Sequence, residues 1–215
     1  MDKKNIAVIL SGSGYLDGSE ISEAVLTLLA LDKSKEQLNV RCLAPDREQA
    51  RVINHLTEKA MDEKRNILIE SARIARGKIE DIQKVNPEDF HGVIIPGGFG
   101  AALNLCDFGV KGSAGHVIKP LADFIGKYRQ GKNRPLGAVC IAPAIVALLL
   151  GGDKAVLTIG EDRETAMEIE KTGATHRNCP VDNIVVDENL KVVTSPAYMY
   201  GDSRLNEIAI GIDKC

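Results

Sequence analysis

One of the five cysteines in this 215-residue chain stands apart by its surroundings. Cys140 lies in Gly137-Ala138-Val139-Cys140-Ile141-Ala142-Pro143, where an apolar run passes into a helix-forming segment with almost no intervening residues. A side chain at such a turn is presented at the edge of a sheet, the geometry of a nucleophile elbow. The usual elbow carries glycine two residues to either side. Alanine, the next-smallest residue, stands at both positions here (Ala138 and Ala142). Pro143 suits the first turn of a helix, where its missing N–H costs nothing. Cys140 would then face the positive end of a helix dipole, which favours thiolate over thiol. Free backbone N–H groups there, Ile141 first, can hold an oxyanion. The same pattern also fits a small buried cysteine where strand meets helix. Cys42, Cys106, Cys179 and Cys215 lack this context and read as structural or surface thiols.

Two further loops can complete a site. Pro96-Gly97-Gly98-Phe99-Gly100-Ala101-Ala102 closes an apolar strand. Glycines there let a backbone approach a ligand closely and leave N–H groups facing it. Gly97 and Gly98 are thus candidate partners of the Ile141 amide in an oxyanion hole, or simply a tight turn. Glu20 and Glu23, three residues apart after the first apolar run, share a helix face. Asp17 and Glu20 fit a D-x-x-E variant of the capping box, which gives Glu20 a local duty. Glu23 has none. It reads either as a solvated carboxylate or, beside Cys140, as a general acid/base whose pKa burial would raise.

Other patterns point to little chemistry. Gly12-x-Gly14 begins a dinucleotide fingerprint, but Asp17 stands where the third glycine belongs. Gly126 to Asn133 nearly spells a phosphate-binding loop, yet it ends in Asn133 instead of Ser or Thr and precedes a strand. None of the four histidines (His55, His91, His116 and His176) shows a metal-ligand spacing, so no metal and no cofactor are expected.

The elements that must position Cys140 and Glu23 alternate along the chain. Strands are predicted at 6–10, 38–43, 92–95, 136–139 and 155–159, with a hairpin formed by 183–186 and 191–194. Helices are predicted at 20–31, with Ile21, Val25, Leu28 and Leu29 on one apolar stripe, in the second half of 47–77, from Ile141 onward, and at 163–172 and 204–212. This alternation predicts one α/β domain over residues 1–215 around a mainly parallel sheet. Ligands bind such sheets outside the carboxyl ends of the strands, which places the loops after Leu10, Ile95 and Val139 at the site.

Composition narrows the partners. Net charge is −3, from 27 basic against 30 acidic residues, so nothing draws the chain to nucleic acid or an anionic membrane. Aromatic residues make up 4% with no Trp, too few for base-stacking platforms. The longest uncharged apolar stretch, Leu136 to Leu150, is shorter than the roughly 20 residues of a membrane span. The opening residues read as a first strand and not as a signal peptide. An odd number of scattered cysteines with no C-x-x-C fits a reduced, cytoplasmic setting.

Taken together, Ser11-Gly12-Ser13-Gly14 with Asp17-Gly18-Ser19-Glu20, Val52-Ile53-Asn54-His55-Leu56, Pro96 to Ala102, Cys140-Ile141-Ala142-Pro143 and Pro196-Ala197-Tyr198-Met199 resemble the ThiJ/PfpI superfamily. More narrowly, the chain resembles its ElbB group, described as glyoxalase-like or isoprenoid-biosynthesis proteins with an amidotransferase-like domain. The resemblance implies a flavodoxin-like α/β sandwich of the class I glutamine amidotransferase type, often a homodimer, with Cys140 as nucleophile and Glu23 as the buried glutamate. It further implies a cofactor-independent, glutathione-independent glyoxalase, a lyase that converts glyoxal or a related small dicarbonyl to a 2-hydroxy acid such as glycolate. A non-catalytic cysteine redox sensor or interaction protein is the alternative. Some members carry a histidine next to the cysteine, where this chain has Ile141, and whether His176 substitutes is left open.

Overall fold

A computed structural model describes residues 3–34, 36–131 and 134–215. Lys132 and Asn133, which end the near-match to a phosphate-binding loop, lie outside the described residues, as do Met1 and Asp2. Strand β1 (Lys4–Ile9) leads to helix α1 (Ile21–Lys33) and β2 (Leu38–Ala44). A small antiparallel pair, β3 (Ile53–Asn54) and β4 (Lys59–Ala60), precedes α2 (Ile67–Ile74), β5 (Ile79–Asp81) and β6 (Gly92–Ile95). Three helices follow, α3 (Phe99–Leu103), α4 (Phe108–Lys111) and α5 (Lys119–Arg129), before β7 (Leu136–Val139) and α6 (Pro143–Leu150). The chain ends through β8 (Val156–Leu157), α7 (Arg163–Lys171), β9 (Thr175–His176), β10 (Val185–Asp187), β11 (Val192–Ser195) and α8 (Leu205–Lys214).

Seven strands form the main sheet in the order β10-β11-β7-β6-β1-β2-β5. All neighbours pair in parallel except β10, which closes one edge antiparallel to β11 in the predicted hairpin. The continuously apolar central strands are buried on both faces, as parallel strands covered by helices must be. Ala7, Ile9, Val93, Ile95, Leu136 and Ala138 face one core, completed by α5 and α6. Val8, Leu10, Ile94 and Val139 face the other, under α1 and α8. The fold is thus the expected α/β sandwich. The chain runs from β1 outward to β2, then crosses back to β6, so the switch point lies between β1 and β6. Among the described residues, no helix is long and apolar enough to cross a membrane.

Three local expectations are corrected. The segment 155–159 contributes only β8, which pairs with β9 in a separate ladder. Of the predicted stripe on helix α1, Leu28 packs against the core, but Ile21, Val25 and Leu29 do not and are each between 42% and 49% exposed. The helix turns Glu23, Ala24 and Thr27 inward instead, because Glu23 must reach the sheet edge and α8 packs along its side. Asp17 is not a helix cap. Glu20 is itself the N-cap of α1, accepting the Glu23 N–H at 2.6 Å, whereas the buried Asp17 carboxylate accepts the Ile53 N–H at 2.7 Å and anchors the β3 segment.

The loop after β1 is held from beneath by the buried Asn104. Its amide donates to the carbonyls of Ser11 and Asp17, both at 2.8 Å, and its oxygen accepts the Ala50 N–H at 2.8 Å. Leucine has the same number and branching of heavy atoms but leaves buried backbone groups unpaired. Asn104→Leu is therefore expected to lower the unfolding free energy by about 3 kcal/mol in urea titrations.

Candidate active site

Cys140 follows β7 directly, at the carboxyl edge of the sheet, with φ at +61°. An L-residue adopts this left-handed conformation at a cost of about 1–2 kcal/mol, and strain of this kind marks a strand-to-helix elbow. The cost is met locally. The Cys140 N–H donates to the Ser195 carbonyl at the end of β11, at 2.9 Å. Ala138 and Ala142 are fully buried, leaving no room for larger neighbours, and Pro143 occupies the first turn of α6. Cys140 itself is 7% exposed and forms part of the wall of a cavity of about 220 Å³.

Glu23 lies against the thiol with no solvent exposure. Its Oε1 accepts the Tyr198 N–H at 3.0 Å. Its Oε2 closes no hydrogen bond within the protein, although the Gly97 amide and the Cys140 thiol both face the carboxyl. Burial pushes Glu23 up to about 8, with Glu20 nearby adding to the rise and the Tyr198 amide opposing it. The thiol is raised as well, first by burial and then by the charge of Glu23, while the Gly98 and Ile141 amides pull the other way. The helix dipole expected to favour thiolate is outweighed by loss of water. Two negative charges cannot share this space, so a thiolate forms only when Glu23 holds the proton.

The loops are locked to one another by backbone bonds. The Glu20 N–H donates to the Gly97 carbonyl at 2.9 Å, Phe99 to Tyr15 at 2.7 Å and Gly100 to Gly18 at 2.9 Å. A Cβ on Gly97 would come within 2.3 Å of the Cys140 Cβ and 2.5 Å of Glu23 Oε2. One on Gly98, whose φ is +93°, would meet Glu20 N at 2.3 Å. Only glycine permits this approach.

The structure thus brings Cys140, Glu23, Gly97, Gly98 and Ile141 together. Within that group Gly97 differs from expectation, since its amide faces the Glu23 carboxyl and not the thiol. The amides of Gly98 and Ile141 both point toward the sulfur, where they can serve an oxygen bound at an adjoining carbon. His176 stands elsewhere: its Nε2 accepts the Ile159 N–H at 3.3 Å, and it has no place in the cavity wall. Burial lowers its pKa, consistent with a neutral, structural imidazole. Among the described residues, no cluster of His, Cys, Asp and Glu has the form of a metal site. All five cysteines are free thiols.

Sequence reasoning had not assigned the Tyr198 amide to the site, nor Tyr15, Phe99, Asp162, Thr165 and Met199 to the cavity wall. The signal for the first was available. The Pro196–Met199 segment leaves the carboxyl end of β11 beside β7, in the same row of loops as the elbow.

Glu23 also sets a pH dependence of stability. Between the ordinary carboxyl range and about 8, the folded chain keeps a proton that the unfolded chain releases. The associated stability is full at low pH and is lost as pH rises through about 8. Glu23→Gln cannot ionise, so at about pH 9 it is expected to be more stable than the parent by a few kcal/mol. At about pH 5 the gap should shrink to near zero in thermal or urea unfolding.

No family model matches the chain. A human protein named glutamine amidotransferase-like class 1 domain-containing protein 3, mitochondrial, is 39% identical over 217 residues, spanning 96% of this chain and 79% of that one. An ES1 protein homolog, mitochondrial, from Rattus norvegicus is 37% identical over 220 residues, spanning 98% and 80%. Among solved structures, an isoprenoid biosynthesis protein with amidotransferase-like domain from Ehrlichia chaffeensis matches with a TM-score of 0.90 and 38% identity over 98% of this chain and 95% of that one. A DJ-1 superfamily protein of Agrobacterium tumefaciens shares the fold alone, with a TM-score of 0.53 and 17% identity over 93% and 87%. Both curated relatives are named as mitochondrial, which overturns the cytoplasmic setting expected above. Scattered free thiols report a reducing environment and do not specify a compartment. The chain belongs to the group of amidotransferase-like isoprenoid-biosynthesis and ES1 proteins, whose fold is that of the ThiJ/PfpI/DJ-1 superfamily.

Proposed function

We propose that the chain is a cofactor-independent glyoxalase acting on glyoxal or a related small 2-oxoaldehyde. The superfamily includes glyoxalases, amidotransferases and redox sensors, so the choice rests on the site. One observation carries it: a fully buried carboxyl with an unpartnered oxygen lies against a cysteine held in a strained elbow. A carboxyl in that state can take and return a proton within a water-poor site.

The steps balance without a cofactor. The Cys140 sulfur adds to the aldehyde carbon, its proton passes to the carbonyl oxygen by way of Glu23, and a hemithioacetal forms. Glu23, now ionised, removes the hydrogen from that carbon while the Gly98 and Ile141 amides hold the neighbouring oxygen as it gains charge. Returning the proton to the second carbon, while the hydroxyl proton of the first passes to the charged neighbouring oxygen, leaves the thioester of a 2-hydroxy acid. Water then cleaves the carbon–sulfur bond, releasing glycolate from glyoxal and restoring the thiol. Neither His176 nor any other histidine is needed.

The test is glycolate formation from glyoxal without glutathione or added metal. Cys140→Ala is expected to fall to the uncatalysed rate and Glu23→Gln to lose about a hundredfold or more in kcat. For the parent, kcat/KM is expected to rise about tenfold per pH unit up to about pH 8, where the pair loses its first proton. Full turnover by Cys140→Ala would sink the proposal. A parent that turns over no dicarbonyl yet collects sulfinic acid at Cys140 under mild peroxide would favour the redox reading, which the raised thiol pKa disfavours.

A further inference from the structure

The charge lining the cavity points to a substrate class. Glu20 and Asp162 both contribute to its wall, together with the apolar surfaces of Tyr15, Phe99, Ile141 and Met199. Each carboxylate is fixed by a cap. Glu20 accepts the Glu23 N–H, and Asp162 accepts from the Glu164 N–H and the Thr165 hydroxyl, both at 3.0 Å. Among the described residues neither takes part in an ion pair, and no Lys, Arg or His lines the cavity. The nearby Arg51 stacks over the Phe99 ring at 5.9 Å and donates to the Leu16 carbonyl.

We propose that Glu20 and Asp162 are specificity-determining residues that exclude anionic carbonyl compounds, leaving uncharged or cationic 2-oxoaldehydes with a small apolar or aryl group as the substrate class. This rests on the glyoxalase reading of the same cavity. An incoming carboxylate would give up water, find no cation to replace it and meet two fixed negative charges, with Glu23 as a third when ionised. The same logic disfavours glutamine and other amino acids, whose α-carboxylate needs a basic partner.

The experiment compares kcat/KM for phenylglyoxal and 4-carboxyphenylglyoxal in the parent and in Glu20→Gln/Asp162→Asn. Both amides keep a cap oxygen, so the helices retain their starts. The parent is expected to prefer the neutral compound by about tenfold or more, and the double variant to shrink that preference to roughly threefold or less. Raising the salt concentration should compress the parent's preference in part, because Asp162 is exposed. Equal use of both compounds by the parent, or a preference the variant leaves unchanged, would overturn the proposal.

A second readout does not need turnover. Alkylation of Cys140 by iodoacetamide and by iodoacetate, each scaled to its rate with free glutathione and scored on the Cys140 peptide, should show the same bias. Biased labelling without dicarbonyl turnover would sink the glyoxalase reading and uphold the charge filter. Unbiased labelling would overturn the filter whatever the turnover.

Discussion

The structure around the site is organised by the burial of one ionisable group, Glu23, against a second, Cys140. Removing a carboxylate from water costs several kcal/mol unless donors replace the solvent, and here one backbone amide satisfies one oxygen. That shortfall is what raises the carboxyl to about 8. It also dictates the neighbours. Gly97 must lack a side chain for the carboxyl and thiol to meet beside it. The Tyr198 amide must arrive from a different strand, and Ala197, just before it, accepts a φ of +44° to deliver it. Two strained non-glycine residues, Cys140 itself and Ala197, therefore hold the pair together, as is common where function keeps a backbone away from its preferred conformation.

The parallel sheet supplies the rigidity that makes such an arrangement affordable. Strands β1, β6, β7 and β11 end side by side, so the segments that follow them and bear Glu23, Gly98, Cys140 and Tyr198 start from fixed and adjacent points. Helix α1 is rotated about its axis to serve the same end. Leu28 and Leu31 still pack against the core, but a glutamate takes a fully buried inward position while Ile21, Val25 and Leu29 stay half open to solvent. Local preference yields to the site at this helix, and at the Cys140 elbow.

Much of this was legible beforehand. The short apolar runs 92–95 and 136–139 are strands with the predicted bounds, and the loops after β1, β6 and β7 converge as the topology of parallel sheets requires. Helix α5 was missed although Leu121, Phe124, Ile125 and Tyr128 sit at helical spacing behind Pro120, because the charged residues between them mask the stripe. The facing of α1 was misread for a firmer reason. Periodicity reports which residues are apolar, and only the tertiary position of Cys140 says which side of the helix must turn inward. The role of Asp17 was invisible on the same ground, since it depends on a partner 36 residues away in sequence.

The protonation state of the pair links fold to chemistry. A helix N-terminus alone would lower the thiol's pKa, and that was the expectation from sequence. Burial reverses the sign, so Cys140 is not a free-standing thiolate awaiting any electrophile or oxidant. Its proton has one place to go, the unpartnered oxygen of Glu23, and its ionisation is tied to that transfer. A cysteine so coupled gains nucleophilicity when a carbonyl carbon is at hand to take up the developing charge, and the same carboxyl is then positioned to move the next proton. In a cysteine–histidine hydrolase the imidazole must both activate the sulfur and protonate an amine leaving group. No histidine lines this cavity among the described residues, and the rearrangement of a 2-oxoaldehyde has no amine to expel. One carboxyl that takes a proton and gives it back is sufficient for that chemistry.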